Sequence, residues 1–239
     1  MSVERTRIVE EKMARLFSEK KPFSEHLFKW EDPCLPDKYD HNSFEYTAQP
    51  AREEFQKAVD YQRNKGDIFI KLEGDRPLSD HFGLETGITI TMELKNDTGK
   101  WIRNENVRFA VPSLSELESI EVKHFGLLYG ESFTRRNVRR LYDKLQYHGA
   151  YIDDILVAAC YSFSADGMTA IDGLIVDEDY RHQYIATALI AHIAEINTDS
   201  ILFLHADEED TPKDMYQKMG FEITDRLYEY SCLDLKREK

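Results

Sequence analysis

The residues best placed to do chemistry lie between Leu174 and Ile190. Leu174-Ile175-Val176 reads as the end of a buried strand. Asp177-Glu178-Asp179-Tyr180 reads as a polar turn, and an Ala-rich helix follows, beginning at His182 or Gln183 and running to about Ile196. Backbone N–H groups at a helix start lack partners within the helix and sit at the positive end of its dipole. Such a turn is an anion site, most often for phosphate. The same pattern is also an ordinary strand-to-helix connection. Small Ala186 and Ala188 admit close approach by a ligand or a strand, and Arg181 suits a phosphate as well as it suits Asp177 or Glu178. Elsewhere the chemistry thins out. Cys160 falls inside an apolar run and reads as core. Asp207-Glu208-Glu209-Asp210 reads as a solvated loop without metal-ligand spacing. The eight histidines form no HxxxH or HExxH pair, so no metal site is expected. No G-x-S-x-G elbow or Walker loop supports a hydrolase or a nucleotide triphosphatase.

These residues need elements to hold them. Ile155 to Phe163 and Met168 to Val176 read as two strands joined by the hairpin turn Ala165-Asp166-Gly167. Ile201 to His205 is a short buried strand. Thr211-Pro212 opens a helix that ends at Gly220, and strands around Phe221 to Ile223 and Leu227 to Leu235 follow. Upstream, Ser113 with Glu116 is a capping box opening a helix to about Leu128, and Thr134 caps another. Helices are also expected over Ile8 to Phe17 and over 51 to 64. Residues 22 to 50, broken by Pro22, Pro33, Pro36 and Pro50, read as irregular. Strands are expected at Asp67 to Leu72, at Ile88 to Leu94 and around Val107 to Val111, with a turn at Asn96 to Gly99.

The chain's 239 residues fit one large domain or two small ones. A hydrophobic share of 41% with 13 Tyr and 13 Phe is enough for a real core. The net charge of −14 argues against a general nucleic-acid binder. No apolar run approaches a membrane span, and the charged amino terminus carries no signal core. Cys34, Cys160 and Cys232, odd in number and far apart, suit a reducing cytoplasm.

Two motifs resemble one family. Arg181-His182-Gln183-Tyr184-Ile185-Ala186 resembles the acyl-CoA signature of the GNAT N-acetyltransferases: Arg or Gln, two residues, Gly, one residue, then Gly or Ala. Downstream, the segment from Asp210 to Glu222 resembles the same family's closing motif, with Tyr216 four residues before Gly220-Phe221. The resemblance covers roughly residues 107 to 235. One departure is that the family's central glycine is Tyr184. At positive φ a tyrosine would cost roughly 1–2 kcal/mol, whereas in the helix's first turn it would cost little. The phosphate contacts come from backbone amides, which survive the change.

The resemblance implies an N-acetyltransferase that moves an acetyl group from acetyl-CoA to a primary amine. By the resemblance, the amides of Gln183, Tyr184, Ile185, Ala186 and Thr187 would hold the pyrophosphate, with Arg181 and His182 beside it. The edge Leu174, Ile175, Val176 would pair with the pantetheine arm. Tyr216 would protonate the departing thiolate, and Asp172, where several relatives place an acidic residue, would be the base. Without the family, Tyr216 reads as a packed aromatic and Asp172, next to Gly173, as a residue serving a bulge. The acceptor would be a small-molecule or peptide amine, cationic in view of the chain's acidity. The alternative is a GNAT-fold CoA-binding or interaction module without catalysis.

The expected fold is α/β: a GNAT-like mixed, mostly antiparallel sheet flanked by helices over 107–239, and a smaller α/β domain over 1–106. The second resembles a degenerate half of the first. Asp67 to Asp75 resembles Ser200 to Glu208, and His81-Phe82-Gly83-Leu84-Glu85 with its following strand resembles Lys218-Met219-Gly220-Phe221-Glu222 with the strand to Lys236. The first copy lacks any counterpart of the Arg181 to Ala186 turn, and Ser79 stands where the second has its tyrosine.

Overall fold

A computed structural model describes residues 2–67, 69–95, 101–210 and 212–234. The elements in chain order are α1 (Ser2–Ala14), β1 (Glu19–Pro22), β2 (Leu27–Glu31), β3 (Phe44–Tyr46), α2 (Arg52–Lys65), β4 (Ile70–Gly74), β5 (Glu85–Leu94) and β6 (Arg108–Ala110). There follow α3 (Leu114–Tyr129), α4 (Glu131–Tyr142), β7 (Gln146–Ile152), β8 (Ile155–Ala165), β9 (Met168–Val176), α5 (Ile185–Ile196), β10 (Ile201–Asp207), α6 (Pro212–Lys218) and β11 (Phe221–Cys232). The chain forms two compact units. One is built on Met92–His205 with Asp214–Ile223 added, the other on Glu11–Thr91 with the remainder of β11.

In the first unit the strand order is β10-β9-β8-β7-β6. All neighbours are antiparallel except β10 with β9, which are parallel with α5 as the crossover between them. A parallel pair needs such a crossover, and α5 supplies it by burying Ile185, Leu189, Ile190 and Ile193. Asp166 and Gly167 both have positive φ, as a tight hairpin turn requires, and they set Ala165 opposite Met168. α3 opens with the expected capping box: Ser113 Oγ accepts from the Glu116 amide, and Glu116 accepts from the Ser113 amide. Glu118 on α3 ties α4 through Arg135 and Arg139.

The second unit repeats this plan. β1, β2 and β3 are antiparallel, α2 crosses over, and β4 runs parallel to β3. Its core is Leu27, Phe44, Tyr46, Ala58, Val59, Ile70, Leu72, Leu78 and Tyr230. Burying each large apolar side chain contributes about 1.5–3 kcal/mol. The expected repeat of 67–95 on 200–236 therefore extends further, with β1 to β5 following the order of β7 to β11. Gly83 before β5 and Gly220 before β11 both have positive φ. The first copy forms no helix where the second has α6.

Several expectations are corrected. Residues 22–50 are not irregular, since β2 and β3 lie within them and β1 ends at Pro22. These strands are short, Lys29 points inward where an apolar residue would mark the pattern, and proline is tolerated at a strand end. Thr134 is not a cap. It lies inside α4, its hydroxyl donating to the Gly130 carbonyl. The two closing strands are one, β11, and β7 was not anticipated. The α5 helix starts at Ile185, after two left-handed residues. The turn at Asn96 to Gly99, the Thr211 cap, Ile68, and the strand end at Leu235-Lys236 lie outside the described residues.

Candidate active site

The site begins where β9 parts from β10. Their ladder runs from Met168↔Ile201 to Ile171↔Leu204 and ends there. Beyond it, Asp172 to Val176 stay paired with β8 on the other side only, through Tyr161, Ala159 and Ala158. The edge at Leu174, Ile175 and Val176 thus faces away from β8 without a strand partner among the described residues.

A bulge shapes this stretch. The β8–β9 register shifts between Ala159 and Tyr161, and Gly173 has φ +64°. A Cβ at Gly173 would lie 2.6 Å from the Tyr161 ring, so glycine is required both by its dihedral and by the ring packed on it. Asp172 is exposed. One carboxylate oxygen accepts from the Gly173 amide at 2.6 Å and the other from the Tyr161 hydroxyl at 2.7 Å. No cationic side chain pairs with it among the described residues.

The polar turn comes next. Asp177 caps the 3-10 turn Glu178–Tyr180 by accepting from the Asp179 amide. Asp177 also takes Lys123 of α3, which holds its carboxyl below the usual range. Arg181 donates to the Val176 carbonyl at 3.3 Å and lies 3.7 Å from Glu178. His182 (φ +62°) and Tyr184 (φ +58°) are both left-handed, and the Gln183 carbonyl accepts from Asn104. Tyr184 is the N-cap residue of α5 and caps nothing with its side chain, which is 54% exposed. The first bond of α5 runs from the Ala188 amide to the Tyr184 carbonyl. The amides of Ile185, Ala186 and Thr187 are therefore the open ones, at the positive end of the helix dipole, an arrangement able to receive an anion. Because the helix starts later than expected, the His182 and Tyr184 amides belong to the turn, not to the helix.

Tyr216 on α6 is buried and meets Phe221 edge-on at 5.9 Å. Burial pushes its phenol up to about 12, with the Asp172 charge and Cys160 adding to the shift. It is a protonated phenol at neutral pH, able to donate.

Three residues enter that the sequence did not single out. Tyr161 holds Asp172. Tyr147 on β7, opposite Tyr161 in register, meets that ring at 5.6 Å and Tyr142 at 5.9 Å. The Tyr147 hydroxyl is buried without a hydrogen-bond partner, and burial, then the charges of Glu121 and Asp172, push its pKa up. His124 on α3 has a buried Nε2 without a partner, and burial followed by the Arg181 charge lowers its pKa. The hairpin turn was the available signal for Tyr161. Among the described residues no group of His, Cys, Asp and Glu could hold a metal ion.

Residues 129–223 match the family described as an acetyltransferase (GNAT) domain. No curated protein matches the chain. Among solved structures, a functionally unknown conserved protein from Staphylococcus epidermidis ATCC 12228 is similar over 91% of this chain and 94% of that one. Its TM-score is 0.78 at 19% identity. A GCN5-related N-acetyltransferase from Kribbella flavida is similar over 95% and 94%, with TM-score 0.62 at 13% identity. A tandem GNAT protein from the clavulanic acid biosynthesis pathway is similar over 89% and 79%, with TM-score 0.57 at 11% identity. At these identities the likeness is one of fold, and it covers both repeats. What the comparisons show is a match of residues 129–223 to the GNAT acetyltransferase domain and a fold, over most of the chain, like that of GNAT proteins.

Proposed function

We propose that this protein transfers an acetyl group from acetyl-CoA to a primary amine. The observation that carries the reading is the end of the β9–β10 ladder at Ile171↔Leu204, which leaves the Leu174–Val176 edge free on the side away from β8, ahead of the open amides of α5. The pantetheine arm would pair along that edge, and the pyrophosphate would sit on the amides of Ile185, Ala186 and Thr187, with Arg181, His182, Gln183 and Tyr184 around it. Asp172 takes a proton from the substrate ammonium, directly or through water. The freed amine attacks the thioester carbonyl, a C–N bond forms and the C–S bond breaks. Tyr216 gives its proton to the departing thiolate, the amide nitrogen gives up its second proton to solvent, and exchange with solvent restores the Tyr216 phenol and the Asp172 carboxylate.

The acceptor is a small-molecule or peptide amine, cationic or with a basic flank. The charge of −14 and the unpaired Asp172 support this. The same acidity weighs against a nucleic-acid partner. No helix among the described residues is long and apolar enough to cross a membrane. The free thiols of Cys34, Cys160 and Cys232 fit a reducing compartment, which makes the cytoplasm the proposed location.

A second reading is a CoA-binding module without turnover. Tyr184, left-handed where the family has glycine, favours it, because its side chain flanks the pyrophosphate position. The test is a melting curve with acetyl-CoA combined with thiol release over a panel of amines. Transfer requires both stabilisation and release, and ligand at 100 times its Kd stabilises by about 2.7 kcal/mol. Stabilisation without release supports the second reading, and neither response rejects both.

A further inference from the structure

His205 is the first polar side chain of β10, after Ile201-Leu202-Phe203-Leu204. It stands one residue beyond Leu204, where pairing with β9 ends. Asp172 stands one residue beyond Ile171, the partner of Leu204. The two residues are therefore opposed at the mouth of the opening between the strands, which lie about 4.8 Å apart where they are still paired. Their side chains project from one face of the sheet. Phe203 and Ala170, each two residues earlier on its strand, share a core with Val9 of α1, and the His205 ring meets that of Phe203 edge-on at 5.9 Å.

α1 brings a third group to this place. Glu10 Oε1 lies 2.7 Å from His205 Nε2, on side chains 31% and 29% exposed. Glu10, Asp172 and His205 all belong to the same compact unit. α1 is docked without this contact, since Val9 is fully buried against Met168, Ala170 and Phe203, and Arg5 donates to the Asp166 carbonyl at 2.6 Å. A partly exposed ion pair adds little to such docking. A carboxylate beside one imidazole nitrogen does something else: it keeps a proton on Nε2 and so makes Nδ1 the basic nitrogen. Reference values are about 3.9 for an aspartate and about 6.5 for an imidazole, so an imidazole holds a proton about 400-fold more tightly.

We propose that the His205–Glu10 pair receives the proton that Asp172 takes from the substrate ammonium, which makes α1, a helix outside residues 129–223, part of the proton path. This rests on the acetyl-transfer reading and goes beyond it in saying how Asp172 is cleared. The proton passes from the ammonium nitrogen to the Asp172 carboxylate, then through a water to His205 Nδ1. The imidazolium is held by the Glu10 carboxylate and gives the Nδ1 proton to solvent, which restores both residues.

The test is the single-turnover rate of acetyl transfer from acetyl-CoA to a saturating primary alkylamine, followed across pH with the full chain. The wild type is expected to show an ionisation between about pH 5 and pH 8, the imidazole range. His205→Gln is expected to remove it and to lower the rate at neutral pH by about tenfold or more. Glu10→Gln is expected to keep the ionisation and move it to lower pH, because the imidazolium loses its countercharge. A pair that only packs α1 against the sheet would move neither. A wild-type profile without an ionisation in that range overturns the proposal, as does one that His205→Gln retains or Glu10→Gln leaves in place. If no amine is acetylated, NMR titration of the His205 imidazole in the wild type and in Asp172→Asn decides. A midpoint lower by about 0.5 or more in D172N keeps the link between the two residues and rejects acetyl transfer alone. Equal midpoints reject the link.

Discussion

The Tyr161 hydroxyl donates to a carboxylate oxygen of Asp172 at 2.7 Å, across a directly opposed pair in the β8–β9 hairpin. The Gly173 amide holds the other oxygen, so the carboxylate is oriented from two sides. Replacing Tyr161 by Phe removes one of these constraints without changing the ring. The expected result is a fall in kcat of about tenfold with a smaller change in KM, since base alignment matters in the transition state. Asp172→Asn removes the base itself. Turnover then depends on amine that solvent has already deprotonated, and the rate–pH profile moves to higher pH. Stopped and continuous thiol-release assays across pH measure both. An unchanged profile in D172N, with unchanged kcat in Y161F, returns the pair to a packing role.

Gly173 is held by two independent constraints, φ +64° and a ring 2.6 Å from where a Cβ would sit. Gly173→Ala meets both at once. The dihedral alone costs about 1–2 kcal/mol, and displacing the Tyr161 ring adds to it. Denaturant titration is expected to show a loss of about 2–3 kcal/mol, with Asp172 losing its hydroxyl partner as the ring moves. A midpoint within error of the wild type would mean that the bulge relaxes freely and that the ring's position is not fixed by it.

The Tyr161–Asp172 pair was within reach of the sequence. Once Asp166-Gly167 is read as a two-residue hairpin turn, Ala165 faces Met168, and counting back along both strands sets Tyr161 opposite Asp172. The strand–turn–helix unit from β9 to α5 and the helix that carries Tyr216 were legible for a different reason. Their motifs are local, and local backbone chemistry sets them. Tyr147 was not legible, because β7 mixes Gln146, His148 and Gly149 into a strand whose burial comes from tertiary packing, not from alternation. Lys29 concealed β2 in the same way. It is only 2% exposed, its ammonium caught by the Asn42 carbonyl and the Phe44 ring, and burial lowers its pKa to about 7. The repeat was visible at β4 and β5, where apolar runs and positive-φ glycines coincide. It was hidden over β1 to β3, which are three to five residues long, with lysines in β1 and β2 and a glutamate in the middle of β3.

Tyr184 occupies a left-handed position that glycine adopts without penalty. Its side chain is more than half exposed, so packing offsets little of the strain. Tyr184→Gly is expected to leave acetyl-CoA binding equal or tighter and to change stability by no more than about 1 kcal/mol, because relief of the dihedral is opposed by the entropy glycine adds to the unfolded chain. Calorimetric titration with acetyl-CoA measures the first effect and a melting curve the second. Binding that collapses in Y184G would identify the ring as a contact of the cofactor.

Tyr216 is protonated at neutral pH, its phenol pushed up to about 12 by burial and by the nearby Asp172 charge. A donor to the leaving thiolate acts in the transition state. Tyr216→Phe is therefore expected to lower kcat by about a hundredfold while KM for acetyl-CoA changes little. The phenylalanine keeps the edge-on contact with Phe221, so stability should hold within about 1 kcal/mol. A variant with full kcat would assign Tyr216 to packing alone.

His148 gives a prediction about pH that is independent of catalysis. It is 5% exposed on β7, with Nε2 2.8 Å from Ser162 Oγ and its ring 6.5 Å from that of His192, which itself stacks on Phe109. Burial, then the His192 charge, lowers its pKa to about 4. In the unfolded chain a histidine titrates near 6.5. Between those values the unfolded state binds the extra proton, so stability rises with pH across the window. The contribution is complete above about pH 6.5 and is lost as pH falls towards 4, up to about 3 kcal/mol for this one ring. His148→Gln can still bond to Ser162 but carries no proton. Denaturant midpoints for the wild type and H148Q at steps from pH 7 to pH 4.5 should therefore converge as pH falls, with the wild type losing stability faster. Carboxylates elsewhere titrate equally in both proteins and cancel in the difference. Parallel pH curves for the two proteins would mean that His148 takes up its proton in the fold as readily as in the unfolded chain.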